Sequence, residues 1–308
     1  MFASILQRLL QGLLVLLVLY TVSFFLVNLM PGGPFESEKA MPAHIKARLN
    51  SLYGFDQNIV VQYGKALTNL VTGNPGPSTR LEGREVTDIL SQGFPVSLRL
   101  GVVAMLFAVV MGIPLGIVAA WRKNTWMDYS AMAVAMIGIC IPSFVIGPVF
   151  ADHFGRKWGV LPSMGWDPTA PSSWILPSVT LGLATAAYIS RLTRAGMLEI
   201  LNQDFIRTAR SKGAGDFRLL AVHSLRGGLI PAVAFIGPAF AAIISGSVVI
   251  ESVFAMPGLG LHFIKSVETN DRYVILGIVM LYGVLIILAN FATDLLGLWL
   301  NPRLRSSR

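Results

Sequence analysis

The sequence predicts an all-α protein that crosses a membrane six times. Of its 308 residues, 54% are hydrophobic and 13% are charged, whereas about a quarter of the residues of a typical soluble domain are charged. The hydrophobic residues form long uninterrupted blocks, and a helix needs roughly 20 of them to cross a hydrocarbon core about 30 Å thick. The alternating stretches of about ten residues that characterise outer-membrane barrels are absent from the sequence.

The first block, residues 9–30, predicts a retained helix rather than a cleaved signal peptide. It holds 22 residues without a charge and follows Arg8, whereas the apolar region of a signal peptide has about 7–15 residues. It ends in Pro31-Gly32-Gly33-Pro34, not in an Ala-x-Ala cleavage pattern. Residues 1–30 are therefore interpreted as a cytoplasmic N-terminus and the first span.

The segment 31–97 is predicted to be extracytoplasmic and to contain short helices. Two groups of apolar residues recur at helical spacing, namely Ile45, Leu49 and Leu52, and then Ile59, Tyr63, Leu67 and Leu70. Asn58 is a suitable N-cap and Gly73 a suitable stop for the second helix. Such helices are expected to lie on the membrane surface or to pack against the spans.

Residues 98–308 are predicted to form a core of five further spans. Their apolar blocks lie at about 100–121, 129–150, 174–190, 229–250 and 274–298. The block 174–190 is the shortest and contains Pro177. Gly112 and Gly116 have the Gly-x-x-x-Gly spacing that permits close helix contact, although such matches are common in a chain with 30 glycines.

The distribution of charge places both termini in the cytoplasm. With that orientation the inside segments 1–8, 122–128, 191–228 and 299–308 hold 13 basic and four acidic residues, and the outside segments hold 11 of each. An excess of Lys and Arg on the cytoplasmic side is the usual topology signal. It accounts for the net charge of +8, so the partner of this basic protein is predicted to be membrane lipid, and no nucleic acid is required.

The predicted spans lack the groups that ion-coupled carriers use. The first five have no Asp, Glu, Lys, Arg or His between their ends, and the sixth has only Asp294, whereas proton and ion carriers usually need such groups within the membrane. The uncharged polar residues of the spans either bond between helices or line a neutral conduit for a polar solute. The single cysteine, Cys140, is interpreted as packing.

The sequence contains no catalytic equipment, and the chain is predicted not to be an enzyme. It has no Gly-x-x-x-x-Gly-Lys-Ser/Thr loop to hold ATP phosphates, and Gly258-Leu259-Gly260 lacks the third glycine of a dinucleotide loop. Its four histidines do not have metal-ligand spacing. No metal or cofactor is expected in this chain, so energy for uphill transport would come from a partner.

The cytoplasmic segment 191–228 allows two interpretations. Asp204 is a suitable N-cap for a helix with Phe205, Ile206 and Ala209 on its apolar side, and Gly213 is predicted to end that helix. The segment is either a connector held at the lipid headgroups by its arginines or a helix that docks in a groove of a soluble partner.

The nine residues from Phe205 to Gly213 resemble the coupling motif of peptide-importing ABC permeases. The general pattern of that family is Glu-Ala-Ala, three residues and Gly, and Arg207, Thr208, Ala209 and Gly213 occupy those positions here. Further motifs of the same branch follow in order along almost the whole chain: Pro31-Gly32-Gly33-Pro34-Phe35, Tyr53-Gly54-Phe55-Asp56, Gln62-Tyr63, Gly76-Pro77-Ser78, Val249-Ile250-Glu251-Ser252-Val253-Phe254, Pro257-Gly258-Leu259-Gly260 and Asn301-Pro302-Arg303.

The resemblance is closest to the "B" type permease subunit of oligopeptide and dipeptide ABC importers. It implies the six-helix type I permease architecture in a bacterial inner membrane, and a pathway shared with a homologous second permease. Two ATPase subunits would bind ATP and Mg, and an extracytoplasmic binding protein would deliver the peptide substrate. The implied ATPase-coupling residues are Phe205, Ile206, Arg207, Thr208, Ala209 and Gly213.

Two alternatives remain open at this point. A related importer for nickel-chelates, antimicrobial peptides or oligosaccharides would share this architecture. A scaffold membrane protein without a conduit would instead tolerate substitution throughout segment 191–228.

Overall fold

A computed structural model describes residues 2–33, 35, 42–81 and 83–300, and this part of the chain is helical without a β-strand. The all-α prediction is therefore confirmed. The helices are α1 (Phe2–Leu29), α2 (Ala43–Tyr53), α3 (Ile59–Val71), α4 (Val86–Trp121), α5 (Trp126–Cys140), α6 (Ser143–Phe150), α7 (Ser172–Leu201), α8 (Asp204–Ser211), α9 (Asp216–Arg218), α10 (Leu225–Gly228), α11 (Ile230–Val253), α12 (Leu259–Glu268) and α13 (Arg272–Leu300), with π-helical stretches at Ala151–Lys157 and Leu219–Ser224.

The described chain forms two compact units. The first comprises the described residues up to Ser97 together with Pro257–Leu285. The second comprises Leu98–Met256 together with the described residues from Ile286 onward.

The core of the first unit is built where α1, α3 and α13 meet. Tyr20 and Phe24 of α1 are buried with Ile275 and Met280 of α13. Tyr63 of α3 joins them: its ring centroid lies 5.4 Å from that of Tyr20, and its hydroxyl lies 2.9 Å from that of Thr21. Leu67 and Leu70 pack on the same cluster, so the apolar face predicted for α3 is confirmed from Tyr63 onward.

Local signals correctly predicted both ends of α3. The Asn58 side chain accepts a hydrogen bond of 2.9 Å from the Val60 N–H and thereby caps the helix. At the other end Gly73 has a φ of +81°, a conformation that suits glycine because it has no Cβ. The helix ends there, as its sequence predicts.

The turn before α13 fastens the segment that joins α1 to α4. Asn270 donates to the Gly32 carbonyl at 2.5 Å, and Arg272 donates to the Asn28 side chain at 2.6 Å. Ser78 donates to the buried carboxylate of Asp271 at 2.5 Å. These contacts join residues almost 200 or more positions apart, and they hold the segment predicted to be extracytoplasmic as part of the first unit.

Among the described residues, five helices are long and apolar enough to cross a membrane, and one bent pair of helices would make a sixth span if it crosses as a single unit. The continuous helix predicted over 129–150 is instead the pair Trp126–Cys140 and Ser143–Lys157, which bends by 100°. The break lies at Ile141, which has an extended conformation (φ −89°, ψ 118°). The cause is Pro142, because a proline disfavours the helical conformation of the residue before it.

Helix α7 is longer than its apolar block predicted. It runs over Ser172–Leu201, so the predicted cytoplasmic segment from residue 191 begins inside the helix. Pro177 lies in its second turn and does not end it. A proline near a helix start removes an N–H but leaves the downstream ladder intact.

Helices α4 and α7 approach each other at the glycine pair noted in the sequence. A Cβ at Gly112 would lie 2.6 Å from the carbonyl oxygen of Ala186, and a Cβ at Gly116 would lie 2.5 Å from that of Ser190. Side chains at these positions would clash with backbone, which cannot rotate away. The Gly-x-x-x-Gly spacing therefore marks a real contact.

Candidate functional site

The candidate site is the connection between α7 and α11, and it is helical over most of its length. Helix α8 comes first, and residues 212–215 turn the chain into α9. The π-helical stretch Leu219–Ser224 and the short helix α10 then lead into α11. The segment is thus a structured element rather than an open loop.

The π-helical stretch anchors this element on α7. Leu219 and Ser224 are buried, and the Ser224 hydroxyl donates to the Leu219 carbonyl at 2.8 Å. Leu220 packs in a cluster with Ala120 of α4 and Met197 of α7. These anchoring side chains belong to the second half of the connection.

Two glycines bring α10 against α7 at close range. A Cβ at Gly228 would clash with the Met197 side chain and lie 3.0 Å from the Met197 Cα, and a Cβ at Gly196 would clash with the carbonyl oxygen of Gly228. Real Cβ atoms essentially never make contacts this short. The backbones of α7 and α10 are therefore in contact at these two glycines.

Helix α8 begins at Asp204 itself, one residue earlier than it would if Asp204 were the N-cap. Gln203 occupies the N-cap position without a side-chain cap bond, and Asp204 is the first helical residue. The prediction of Asp204 as the cap is wrong. A carboxylate in the first turn is still favoured by the helix dipole, and it lies 3.4 Å from Nη1 of Arg207.

The side chains predicted to share the apolar side of α8 face different ways. Ile206 is 2% exposed and packs inward, whereas its neighbour Phe205 is 47% exposed. Ala209 is half-buried, and Arg207 and Thr208 are exposed. The Thr208 hydroxyl donates to the Asp204 carbonyl at 3.0 Å. Of the three apolar residues, Ile206 fixes the helix to its own chain and Phe205 is free to meet a partner.

Gly213 ends α8 in a Schellman motif. The Gly213 N–H donates to the Arg210 carbonyl at 2.9 Å, and the Ala214 N–H donates to the Ala209 carbonyl at 3.2 Å. Gly213 has a φ of +85°, and no atom lies within 4 Å of the position that a Cβ would occupy. The predicted end of the helix at Gly213 is confirmed, and the glycine is suited to this position by its positive φ rather than by close packing.

The outer surface of the connection combines exposed apolar side chains with weakly paired charges. Phe217 and Val222 are 80% and 65% exposed. Arg210 lies 3.7 Å from Asp216, with both side chains two-thirds exposed, so this ion pair stabilises by about 0–1 kcal/mol. Large apolar groups exposed in this way mark interaction surfaces.

Sequence reasoning missed a buried ion pair near the connection. Nε and Nη2 of Arg194 on α7 donate to the two carboxylate oxygens of Asp128 on α5 at 2.6 and 2.7 Å. Asp128 is 1% exposed and also accepts the Asn124 N–H at 3.0 Å. In the sequence, both residues were counted only among the charges of the predicted cytoplasmic segments. They are 66 positions apart, so no local pattern indicates that they pair. The pair ties α5 to the helix that leads into the candidate site.

Some predicted features fall elsewhere. Asn301, Pro302, Arg303 and the side chain of Asp294 lie outside the described residues. In the described part, no group of three His, Cys, Asp or Glu side chains could hold a metal ion.

Comparison with known families gives one match over most of the chain. Residues 112–306 match the family described as "Binding-protein-dependent transport system inner membrane component". The matched part includes the connection from α7 to α11 and the glycine pair of α4.

Curated relatives match the chain over almost its whole length. The "Oligopeptide transport system permease protein OppB" of Haemophilus influenzae is 41% identical over 305 residues, which cover 99% of this chain and 100% of the relative. The "Dipeptide transport system permease protein DppB" of Bacillus subtilis is 38% identical, with 94% of each chain covered.

Solved structures share the fold at lower identity. A chain of the MetNI methionine ABC transporter superposes with a TM-score of 0.57 at 19% identity, covering 69% of this chain and 96% of its own. An amino acid ABC transporter gives a TM-score of 0.50 at 18% identity, covering 68% and 92%. The architecture of the described chain is that of type I ABC importer permeases.

Proposed function

Because the chain belongs to the family of binding-protein-dependent inner-membrane transport components, we propose that it is the channel-forming permease subunit of an ATP-driven importer of oligopeptides or dipeptides. The observation that carries this proposal is the end-to-end similarity to relatives named as oligopeptide and dipeptide permeases. The chain is a multi-pass membrane protein, and we place both of its termini in the cytoplasm on the charge distribution.

The proposed assembly divides the work among subunits. A homologous second permease completes the pathway, a binding protein delivers peptide from outside, and two ATPase subunits bind ATP and Mg and supply the energy. The absence of a phosphate-binding loop from the full sequence and the binding-protein dependence in the family's description support this division.

Helix α8 is the proposed contact with an ATPase subunit. Phe205 would enter an apolar groove of the partner, with the exposed side chains of Arg207 and Thr208 and the half-buried Ala209 beside it. Ile206, buried against its own chain, would keep the helix attached to the permease when the ATPase moves. Gly213 would set the angle of the helix through its left-handed turn.

Movement of α8 would reach the membrane through α7. The backbone contact between Gly196 and Gly228 couples the connection to α7, and the ion pair of Arg194 with Asp128 couples α7 to α5. ATP binding by the partners would thereby shift the population between outward-facing and inward-facing states of the pathway.

Peptide uptake and ATPase capture test the proposal together. In cells that lack the chromosomal gene, the wild-type chain should restore uptake of a labelled peptide and capture the ATPase subunits in a pull-down. Phe205→Asp and Ala209→Asp should lower both by at least about tenfold, because an unpaired carboxylate is costly to desolvate in an apolar groove. Arg210→Ala is the matched control and should remain close to wild type.

The outcome against the proposal is equally specific. If both aspartate variants reach the membrane and transport peptide normally, α8 is only a connector. If the wild-type chain restores uptake of another solute but not of peptides, the substrate class is wrong while the permease role stands.

A further inference from the structure

A long apolar cavity lies between α4, α5 and α7 in the second unit. It has a volume of about 360 Å³. Along α4 its wall runs from Phe107 to Val118, and α5 contributes residues from Met127 to Gly138. Nearly all of its surface is carbon, so a polar solute would lose its hydration there without compensation.

The proportions of the cavity suit an extended alkyl chain. Eleven residues of helix between Phe107 and Val118 correspond to a length of about 17 Å, so a volume of about 360 Å³ gives a mean cross-section of about 21 Å².

One polar atom in the wall lacks a partner. Ser190 lines the cavity and is 2% exposed, and its hydroxyl has no hydrogen-bond partner among the described residues. A buried hydroxyl left unpaired is costly. Ser190 lies beside Gly116 of α4. Gly116 precedes Arg122 by six residues, so Ser190 is about 9 Å from the level of Arg122 along the axis of α4. An acceptor carried by a ligand at that depth would satisfy it.

The turn between α4 and α5 forms a cationic and aromatic rim where this cavity ends. Arg122 and Lys123 are exposed, and Trp121 and Trp126 flank them. The Arg122 guanidinium lies 5.3 Å from the centroid of the Trp121 ring. Asp128 is bound to Arg194 through both of its carboxylate oxygens, so Arg122 and Lys123 leave the rim with a net positive charge. Tryptophan with Lys or Arg at a span end is typical of a membrane interface.

From these four features we propose that this chain binds one anionic phospholipid at the α4–α5 turn. Arg122 and Lys123 bind its phosphate, and one acyl chain fills the cavity between α4, α5 and α7. Ser190 donates a hydrogen bond to an ester carbonyl of the lipid, which lies between the phosphate and the acyl chain. The charge of the rim selects an anionic over a zwitterionic lipid. The site is independent of the transported substrate.

Native mass spectrometry of the purified complete importer tests the site. The complex is delipidated and then incubated with phosphatidylglycerol or with phosphatidylcholine of the same chain length. We expect phosphatidylglycerol to remain bound at one copy per copy of this chain and at least about tenfold more strongly than phosphatidylcholine, because two cationic side chains face its phosphate. Free glycerol phosphate should not displace it, because it lacks the acyl chain.

Variants separate the two halves of the site. Replacement of both Arg122 and Lys123 by Gln should remove the preference for phosphatidylglycerol, whereas the same double change at Arg156 and Lys157 should not. Ala131→Phe, which fills the cavity, should lower lipid occupancy about tenfold or more, as is expected when an apolar contact of this length is blocked. Ala133→Phe places the same ring outside the cavity wall and should have no effect.

Three results would overturn the proposal. If the wild-type complex retains the two lipids equally, the site does not select lipids by charge. This comparison uses only the wild-type complex and therefore does not depend on the folding of a variant. Displacement by glycerol phosphate would show a headgroup site without the cavity. Unchanged occupancy in an assembled Ala131→Phe complex would show that the acyl chain lies elsewhere or that another subunit covers the cavity.

Discussion

Substitution of Gly213 by valine is the sharpest perturbation of the proposed coupling element. Gly213 has a φ of +85°, and a Cβ there would meet no atom within 4 Å, so the cost of a side chain is conformational and not steric. Holding a non-glycine residue in the left-handed region costs about 1–3 kcal/mol, with a β-branched residue at the upper end. This would reduce the population of the native turn by roughly 5- to 150-fold relative to alternatives.

The expected result is loss of transport without loss of protein. A local cost of that size is small beside the 5–15 kcal/mol that typically stabilises a folded protein, so Gly213→Val should reach the membrane and pair with the second permease at near-normal levels. Uptake of labelled peptide should fall by about fivefold or more, together with ATPase capture in a pull-down, because α8 no longer ends at the correct angle.

Two controls make this prediction specific. Gly213→Asn should retain most uptake, because asparagine tolerates the left-handed conformation. Gly215→Val places the same side chain two residues away, where φ is −68° and the space is open, and it should be nearly neutral. Normal uptake by Gly213→Val, or an equal loss in all three variants, would refute the argument from backbone conformation.

Three further predictions concern topology, nucleotide binding and helix packing. Alkaline phosphatase fused after residue 60 or 165 should be active, and fused after residue 125 or 210 inactive; activity after 210 would place the connection outside the cytoplasm. The purified chain alone should neither bind nor hydrolyse ATP in equilibrium-binding and phosphate-release assays, because it has no phosphate-binding loop. Gly116→Ala should destabilise the complex by about 1–3 kcal/mol in thermal unfolding, because its Cβ would lie 2.5 Å from the Ser190 carbonyl oxygen. Gly138→Ala, with its nearest contact at 3.6 Å, should be neutral or stabilising.

Local signals in the sequence predicted local structure well. The face of α3, its cap at Asn58 and its end at Gly73 all depend on helical periodicity and on side chains that act within a few residues. The end of α8 at Gly213 was likewise predicted from a local signal, the glycine itself. The prediction at Asp204 was wrong by one position, because the helix begins at Asp204 even though Gln203 before it makes no side-chain cap bond.

Orientation and long-range pairing could not be predicted in the same way. Successive residues of a helix point about 100° apart, so the sequence could not decide that Ile206 turns inward and Phe205 outward. The bend at Pro142 was missed because hydropathy measures apolar length and is insensitive to angle. The pairing of Asp128 with Arg194 joins two helices, and only their packing brings the charges together.

The proposal that this chain forms a peptide pathway and couples it to ATP can be tested by peptide uptake in a reconstituted importer. Proteoliposomes containing this chain, the second permease and the ATPase subunits, with ATP enclosed at the cytoplasmic face, are supplied with binding protein and labelled peptide. We expect peptide to accumulate only when ATP is present, and we expect the Phe205→Asp substitution in this chain to abolish that accumulation. Equal accumulation in vesicles that lack this chain would contradict the proposal that it forms the pathway and couples it to ATP.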